Sequence, residues 1–326
     1  MSKFISCDWG TSALRLRLVD SDTITILAEI ESSYGIVATH ELWKINGQRQ
    51  DERLDIYQSV LQDHLKMLEG KTGTTVQNMP VIISGMASSS IGMMELPYKE
   101  IPFNMDGSDL EIKMISAADL FRNDICLISG VKTTDDVMRG EETQLIGCYD
   151  ATGAGSQFFI FTGTHSKHVT IKEGKAIDIK TYMTGELFYL FSKKSILSND
   201  IAAPAELIDE ENDENFKKGI EDSIGLNLLN SLFKVRINSL LGKTSKKENF
   251  FYLNGLLIGC ELKEITGITI PLTVVGNERL IKMYKDVANK LGITQIESID
   301  SGKAIITGHS KIYKTILKKI DKGTKK

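Results

Sequence analysis

The chain has 326 residues, of which 41% are hydrophobic and 25% are charged, and its formal net charge is −4 at pH 7. Such a composition is ordinary for a globular protein, and the length allows about two domains that each bury a core. The acidic balance excludes the basic surface of a nucleic-acid-binding protein. We find neither a signal peptide nor an apolar run that could span a bilayer. We therefore expect a soluble, cytoplasmic protein that contacts neither nucleic acid nor membrane.

The cysteines are scattered along the chain and show no Cys-x-x-Cys spacing. Their positions are Cys7, Cys126, Cys148 and Cys260. This pattern predicts reduced core residues and indicates neither a disulfide framework nor a zinc site.

The first half of the chain opens with three predicted strands, at residues 3–7, 13–19 and 23–31. Apolar and polar side chains alternate in the second strand, which is typical of a strand with one buried face. A polar turn, Asp8-Trp-Gly-Thr-Ser12, joins the first two strands. The order of strands and short turns predicts an antiparallel meander.

A helix is predicted after the meander, and Gly70 is expected to end it. Its apolar positions recur at helical spacing and are Leu54, Tyr57, Leu61, Leu65 and Leu68. A buried strand at residues 81–83 then runs into a loop rich in serine, and a further strand is predicted at 125–129.

The central stretch from Val137 to Gly147 places Arg139, Glu141 and Glu142 around Gly140. It reads as the junction between a loop and a helix, because glycine permits a turn and carboxylates suit the first helical turn. The two glutamates can be interpreted structurally, as the acidic first turn of a well-capped helix. They can also be interpreted functionally, as a pair that contains a catalytic carboxylate.

The second half repeats the pattern of the first. A strand at 157–161 ends in Thr162-Gly-Thr-His-Ser-Lys167, and strands at 168–172 and 175–182 follow around a tight turn. Helices are predicted at about 215–235 and 251–262. A last strand at 271–275 ends in Gly276-Asn277 before another helix. A repeated unit with the same turn chemistry is hard to obtain by chance.

A Gly-Thr turn between strands directs backbone N–H groups at one point and can form a nest for phosphate. Two such turns in equivalent places could hold a polyphosphate from both sides. Asp8, where the first strand meets its turn, is suited to hold Mg²⁺ directly or through water. A residue that caps the turn is an equally good interpretation of Asp8.

These motifs resemble those of a known superfamily. The Asp-x-Gly-Thr turn, its second copy and Val275-Gly-Asn277 resemble the phosphate-1, phosphate-2 and adenosine motifs of the sugar kinase, Hsp70 and actin superfamily. A closer resemblance is to the 2-dehydro-3-deoxygalactonokinase family. It rests on Met138-Arg-Gly-Glu-Glu-Thr-Gln-Leu145, Gly163-Thr-His-Ser-Lys167, Thr184-Gly-Glu-Leu187 and Asn254-Gly-Leu-Leu-Ile-Gly259. The adenosine motif departs from the expected pattern, because Asn277, Glu278 and Arg279 stand where small hydroxyl residues are usual.

The resemblance implies an α/β fold of two RNase H-like (actin-like ATPase) domains, at 1–148 and 149–326, with mixed sheets and a cleft between them. It implies a kinase that uses ATP and Mg²⁺ to phosphorylate the terminal (6-) hydroxyl of 2-dehydro-3-deoxy-D-galactonate in galactonate catabolism. The partners implied are the sugar acid and ATP. The sequence leaves open whether the protein forms a homodimer.

The resemblance also assigns roles to individual residues. Phosphoryl transfer needs a carboxylate that takes the proton of the acceptor hydroxyl. Glu141 matches the position of the base in related kinases, and Glu142 the position that holds the sugar, although the two roles could be exchanged. The phosphate-binding and nucleotide-binding positions are Gly10, Thr11, Ser12, Gly163, Thr164, Lys167, Gly276 and Asn277, with Asp8 as the metal ligand.

The substrate of such a kinase is a keto acid, whose carboxylate needs a cation. Arg139 is the candidate, since a guanidinium matches a carboxylate, and a salt bridge to its own neighbours is the alternative. Ser84, Ser88 and Ser89 lie on a loop after a strand, where ligands bind in open α/β sheets. His165 is interpreted as a substrate contact or an anchor of its loop.

Three alternative functions remain open from the sequence. The first is a kinase of the same fold that acts on another keto-deoxy sugar acid. The second is a non-catalytic sugar-acid sensor, which would be expected to have lost Asp8 or the glutamate pair. The third is a filament-forming or chaperone ATPase, which usually carries further insertions.

Overall fold

The computed structural model describes residues 3–150, 155–204 and 213–323. The fold is α/β with mixed sheets, as the sequence predicts, and the chain divides into two compact units. The first unit combines Met1–Gly155, Ile171–Ile179 and Ser301–Lys326, and the second combines Ser156–Thr170 and Lys180–Asp300. The predicted domains, 1–148 and 149–326, follow the repeat in the sequence and stay a prediction.

Strands are numbered in chain order. They are β1 Lys3–Trp9, β2 Leu14–Asp20, β3 Thr25–Ser32, β4 Val81–Gly85, β5 Lys99–Glu100, β6 Phe103–Asn104, β7 Ile112–Ile115, β8 Ile125–Ile128, β9 Val131–Lys132, β10 Val137–Met138, β11 Gln157–Phe161, β12 Ser166–Lys172, β13 Lys175–Tyr182, β14 Leu272–Gly276 and β15 Ile296–Asp300. The helices are α1 Ile36–Ile45, α2 Arg53–Thr72, α3 Glu141–Cys148, α4 Thr184–Lys194, α5 Asp213–Gly225, α6 Leu228–Leu240, α7 Lys246–Leu262, α8 Glu278–Lys290 and α9 Ser301–Gly323.

A six-stranded sheet with the order β3-β2-β1-β4-β8-β7 forms the centre of the first unit. The predicted meander is confirmed, since β1, β2 and β3 pair antiparallel, whereas β4 is parallel to both β1 and β8. Trp9, Leu14, Leu16, Tyr57 and Leu61 are fully buried in its core. The carboxyl ends of β1 and β4 therefore meet at one edge of the sheet.

A second six-stranded sheet has the order β15-β14-β11-β12-β13-β6. Within the second unit, β14 is parallel to both β11 and β15. Helix α7 is buried along almost its whole length, and its side chains pack with those of α5 and α8 in the core of this unit. The ends of β11 and β14 thus lie side by side and carry the second Gly-Thr loop and Gly276.

Three local predictions were wrong. Helix α2 continues through Gly70, which faces open space, and Gly73 ends the helix instead because its φ of +65° suits the terminal left-handed position. The helix predicted at 215–235 is two helices, of which the second is capped by the Asn227 side chain. Asp8 belongs to β1 rather than to the following turn.

The elements that were not predicted are helices α1, α4 and α9 and strands β5, β6, β7, β9, β10 and β15. No helix in the described part of the chain combines the length and the apolar character that a membrane span requires.

Candidate active site

The first Gly-Thr loop follows β1 in the first unit and is supported from below by the start of α1. The N–H of Ile36 donates to the carbonyl of Gly10 at 2.9 Å. A Cβ on Gly35 would lie 2.4 Å from the carbonyl oxygen of Thr11, so only glycine allows this close approach. The N–H groups of Thr11 and Ser12 make no hydrogen bond in the described part of the chain. The loop therefore has the donors that a phosphate nest requires.

Asp8 lies one residue before the end of β1, and its side chain is 24% exposed. Its Oδ2 lies 3.6 Å from Nη1 of Arg15. Burial raises the pKa of Asp8, and the neighbouring cations Arg15 and Arg17 oppose that shift. A Cβ on Gly85 would lie 2.8 Å from the Trp9 carbonyl oxygen and 3.6 Å from Asp8 Oδ1, so Gly85 leaves room beside this carboxylate.

The two glutamates of the central stretch begin α3, as predicted, and Gly140 has the positive φ of 113° that favours glycine. Glu142 is fully buried, and its carboxylate accepts the N–H of Gly140 at 2.6 Å and the hydroxyl of Thr143 at 3.0 Å. Burial, followed by the charge of Glu141, raises the pKa of Glu142 to about 7. Glu141 is only partly buried, and its Oε2 accepts the N–H of Arg139 at 3.1 Å.

The start of α3 approaches the end of β4 closely, because a Cβ on Gly140 would lie 3.4 Å from Cα of Gly85. Gly85 in turn lies beside Asp8. The first unit therefore brings the predicted metal ligand and the glutamate pair into one neighbourhood.

Arg139 is held by the serine loop and by an aromatic ring. Its Nη1 donates to the carbonyl and the hydroxyl of Ser88 at 2.7 and 2.6 Å, and its Cζ lies 4.1 Å from the ring centroid of Tyr98. Nη2 makes no hydrogen bond in the described residues, so one edge of the guanidinium is still open to a carboxylate.

The three serines predicted to bind substrate are tied to the protein itself. Ser84 is fully buried and contacts His309 Nε2 at 3.0 Å, while Ser6 contacts Nδ1 of the same ring at 2.8 Å. Ser88 is also fully buried, and the Ser89 hydroxyl donates to the Met86 carbonyl at 2.7 Å. Burial lowers the pKa of His309 to about 3, so the imidazole is neutral. The three serines therefore shape the loop, and Ser88 holds Arg139.

The second Gly-Thr loop is built in the same way as the first. The N–H of Glu186, in the first turn of α4, donates to the carbonyl of Thr164 at 2.9 Å. A Cβ on Gly185 would lie 2.3 Å from the Gly163 carbonyl oxygen. Gly163 itself faces open space, and neither its N–H nor that of Thr164 makes a hydrogen bond in the described ranges. His165 contacts Glu186 Oε2 at 2.5 Å and thereby ties the loop to α4.

Lys167 and the buried polar side chains next to the second Gly-Thr loop form hydrogen bonds with other side chains of the protein. Lys167 is mostly buried, and its Nζ donates to the Thr181 hydroxyl at 2.8 Å. Glu261 on α7 accepts from Thr184 through Oε2, and its Oε1 lies 2.9 Å from Nε2 of His168. The Tyr284 hydroxyl donates to the same Oε2 at 2.8 Å. This network joins α4, α7, α8 and β12 beneath the loop.

The predicted adenosine motif lies beside this loop. The hydroxyl and the N–H of Thr162 donate to the Val275 carbonyl at 3.2 and 2.8 Å. A Cβ on Gly276 would lie 2.0 Å from Thr162 Oγ1, which explains the glycine. Asn277 caps α8, since its Oδ1 accepts the N–H of Leu280 at 3.0 Å.

These residues fit a nucleoside triphosphate with Mg²⁺. Each loop has open N–H groups that suit a phosphate, and in the second unit Gly163 also leaves open space beside them. No cluster of three or more His, Cys, Asp or Glu side chains that could hold a metal occurs in the residues that the structure describes. A lone carboxylate such as Asp8 nevertheless suits Mg²⁺, because this ion usually takes one or two carboxylates, substrate phosphates and water.

Several residues around these loops were missed by sequence reasoning. Arg15, Tyr98, Glu186 and His309 contact predicted site residues, and Glu261 contacts Thr184 at the start of α4. Glu186 belongs to the Thr-Gly-Glu-Leu motif and could have been singled out. His309 follows Ser84 by 225 residues, and no local pattern indicates that contact.

The α/β architecture with its mixed sheets has the fold of the actin-like ATPase class. In fold alone the chain is similar to the activator of the 2-hydroxyisocaproyl-CoA dehydratase from Clostridium difficile with bound ADPNP. That comparison gives a TM-score of 0.51 and 13% identity, and covers 99% of this chain and 97% of the other.

A family model described as 2-keto-3-deoxy-galactonokinase matches residues 8–312. The chain belongs to this family. A kinase of this kind is a phosphotransferase with an alcohol group as acceptor. The resemblance seen in the sequence is thereby confirmed.

Individual relatives agree with the family. The chain is 28% identical over 329 residues to a probable 2-dehydro-3-deoxygalactonokinase of Rhizobium meliloti (strain 1021). This alignment covers 96% of the present chain and 97% of the relative. It is 29% identical over 302 residues to the 2-dehydro-3-deoxygalactonokinase of Escherichia coli (strain K12), with coverage of 89% and 91%. A crystal structure of a candidate 2-dehydro-3-deoxygalactonokinase from Sinorhizobium meliloti matches with a TM-score of 0.78 and 27% identity, over 96% of each chain.

Proposed function

We propose that this protein is an ATP-dependent kinase that phosphorylates the terminal 6-hydroxyl of 2-dehydro-3-deoxy-D-galactonate in galactonate catabolism. The observation that carries the proposal is the match to the family over residues 8–312, which include both phosphate loops and the central glutamate pair. The relatives named above support the choice of the galactonate-derived acid.

Glu141 is the general base in this proposal, because it is the partly exposed member of the pair and begins a helix beside Gly85 and Asp8. A carboxylate in that place accepts the proton of the attacking hydroxyl as the bond to phosphorus forms. Glu142 is fully buried, so we assign it the positioning of the loop through the N–H of Gly140 rather than proton transfer.

ATP with Mg²⁺ supplies the phosphoryl group and the charge that balances its oxygens. Asp8 would hold the ion, and the N–H groups of Thr11, Ser12, Gly163 and Thr164 would hold the phosphates, whereas the N–H of Gly10 donates to the Ala13 carbonyl within its own turn. Gly276 and Asn277 shape the nucleotide side of the second unit, and Lys167 stands beneath its loop.

Arg139 would bind the carboxylate of the sugar acid through its open Nη2 edge, while Ser88 fixes the guanidinium. Ser84 and Ser89 hold the loop that carries Ser88. We also propose that His165, which is 49% exposed in its side chain, contacts the ligand from the second Gly-Thr loop.

The test is ADP release measured with a panel of keto-deoxy sugar acids, with ATP alone as the blank. The account predicts turnover with 2-dehydro-3-deoxy-D-galactonate well above the blank. Turnover with a different acid alone would show that the substrate is that acid, and the proposed mechanism of phosphoryl transfer would still apply. ADP release that is the same with and without every acid would contradict a kinase and favour a sensor or a simple ATPase.

A further inference from the structure

Arg279, in the first turn of α8, carries a charge that no described residue balances with an ion pair. It makes no ion pair and no hydrogen bond in the part of the chain that the structure describes, and its Nε is buried without a partner. Burial lowers the pKa of this guanidinium. Since a buried donor without a partner costs free energy, protein stability does not explain this side chain.

The position makes the charge more unfavourable still. Helix α8 begins at Glu278, directly after its cap Asn277, so Arg279 stands at the positive end of the helix dipole. A cation is normally placed at the opposite end of a helix. An arginine held here without an anion indicates a ligand that uses its donors or its planar face.

The phosphate-2 loop lies at the same edge of the sheet. Arg279 follows the end of β14 by three residues, and β14 pairs in parallel with β11, which ends at the loop. Thr162 of that loop contacts Val275 and lies against Gly276. A nucleotide with its phosphates on Gly163 would therefore extend its base toward the start of α8.

An aromatic pair supports the guanidinium from one side. Its Cζ lies 5.1 Å from the ring centroid of Phe250, and Phe188 packs edge-on against Phe250 with the centroids 5.2 Å apart. Phe250 is buried, whereas Arg279 is partly exposed. Because Arg279 is partly exposed, its guanidinium has surface left for a second planar group besides Phe250.

We propose that Arg279 binds the purine base of the nucleotide, with one guanidinium face on Phe250 and the other on the base. This inference rests on the proposed use of ATP. It also gives a reason why the adenosine motif carries arginine where a small hydroxyl residue was expected.

The test is calorimetric binding of AMP-PNP and of inorganic tripolyphosphate to the full chain, native and Arg279→Met, without sugar acid. Methionine keeps the length of the side chain and removes the charge and the planar fork. We expect AMP-PNP to bind roughly tenfold more weakly to Arg279→Met, whereas the affinity for tripolyphosphate stays within about twofold. Arg279→Lys should fail to restore the affinity for AMP-PNP, because a compact ammonium cannot stack on a base.

Lys282→Met is the matched control, since Lys282 lies on the same helix, is 59% exposed and pairs with Asp286. It should bind both probes like the native chain. Circular dichroism should show an unfolding midpoint for Arg279→Met at least as high as that of the control, because the variant loses a buried donor without a partner. Unchanged AMP-PNP affinity in Arg279→Met overturns the inference, and so does an equal loss for tripolyphosphate, which would assign the contact to phosphate. A native chain that binds no AMP-PNP overturns it as well. Loss of AMP-PNP affinity in a chain that phosphorylates no acid would support the base contact and contradict the kinase.

Discussion

The adjacent carboxylates Glu141 and Glu142 differ in their surroundings more than in their chemistry. Glu142 is fully buried and has its pKa raised to about 7, whereas Glu141 is partly exposed. The sequence predicted the pair and its place at a helix start, because the glycine and the acidic first turn are local features. The burial of Glu142 could not be predicted, because α3 packs against α9, which is distant in the sequence. The two helices are so close that a Cβ on Gly308 of α9 would lie 1.9 Å from the Thr143 carbonyl oxygen.

Replacement of Glu141 by glutamine should lower kcat by about 10²–10⁴-fold, because the hydroxyl of the acceptor loses its base. The affinity for AMP-PNP should not change, since Glu141 is not assigned to the nucleotide. Steady-state kinetics and calorimetry measure the two effects separately. The matched variant Glu142→Gln should lose less, and the assignment is wrong if Glu142→Gln proves the more severely impaired in kcat.

Glu142 should make the stability of the protein depend on pH. Its pKa is raised from 4.5 to about 7, so between these values the folded chain binds a proton that the unfolded chain has lost. The free energy of unfolding therefore falls as the pH rises through this window and levels off above about pH 7. The free energy of unfolding can be measured with urea at several pH values for the native chain and for Glu142→Gln. As the pH rises through this window, the native chain should lose about 3 kcal/mol relative to the variant. A difference that stays constant with pH would contradict the raised pKa.

At the scale of elements, each Gly-Thr loop rests on the first turn of a helix that begins with a closely packed glycine. Gly35 lies before α1 beneath the first loop, and Gly185 lies in α4 beneath the second. The repeat of strand, loop and strand was predictable, because turn residues act locally. The supporting helices were harder to predict. Apolar and polar residues are mixed in α1, and the role of Gly35 depends on its closeness to Thr11 in the folded chain.

Gly185→Ala should weaken the binding of AMP-PNP and of tripolyphosphate by similar factors, on the order of tenfold. The added methyl group would meet the Gly163 carbonyl oxygen at 2.3 Å, so the loop must move away from α4. Calorimetry with both probes separates this effect from the base-selective effect expected for Arg279→Met.

Gly70→Ala is the control for a glycine inside a helix, because Gly70 of α2 faces open space. It should leave binding unchanged and stabilise the chain slightly, as alanine favours the helix. Native affinity for tripolyphosphate in Gly185→Ala would show that this glycine does not support the phosphate loop.

At the scale of the whole molecule, the α/β class and the mixed sheets were predicted correctly, whereas the path of the C-terminal segment was not. Helix α9 belongs to the compact unit that contains the N-terminal strands. Its His309 lies between Ser6 and Ser84, from which it is separated by 303 and 225 residues. Such contacts depend on the folded sheet, and periodicity within α9 gives only its apolar face.

The proposed kinase transfers the γ-phosphoryl group of ATP to the terminal hydroxyl of 2-dehydro-3-deoxy-D-galactonate. The most direct test is a phosphorus–proton correlation spectrum of the product formed by the native chain from this acid and ATP. We expect a new phosphate monoester whose phosphorus couples to the methylene protons at C6. Coupling to a proton at another carbon, or inorganic phosphate as the only new phosphorus signal, would contradict it.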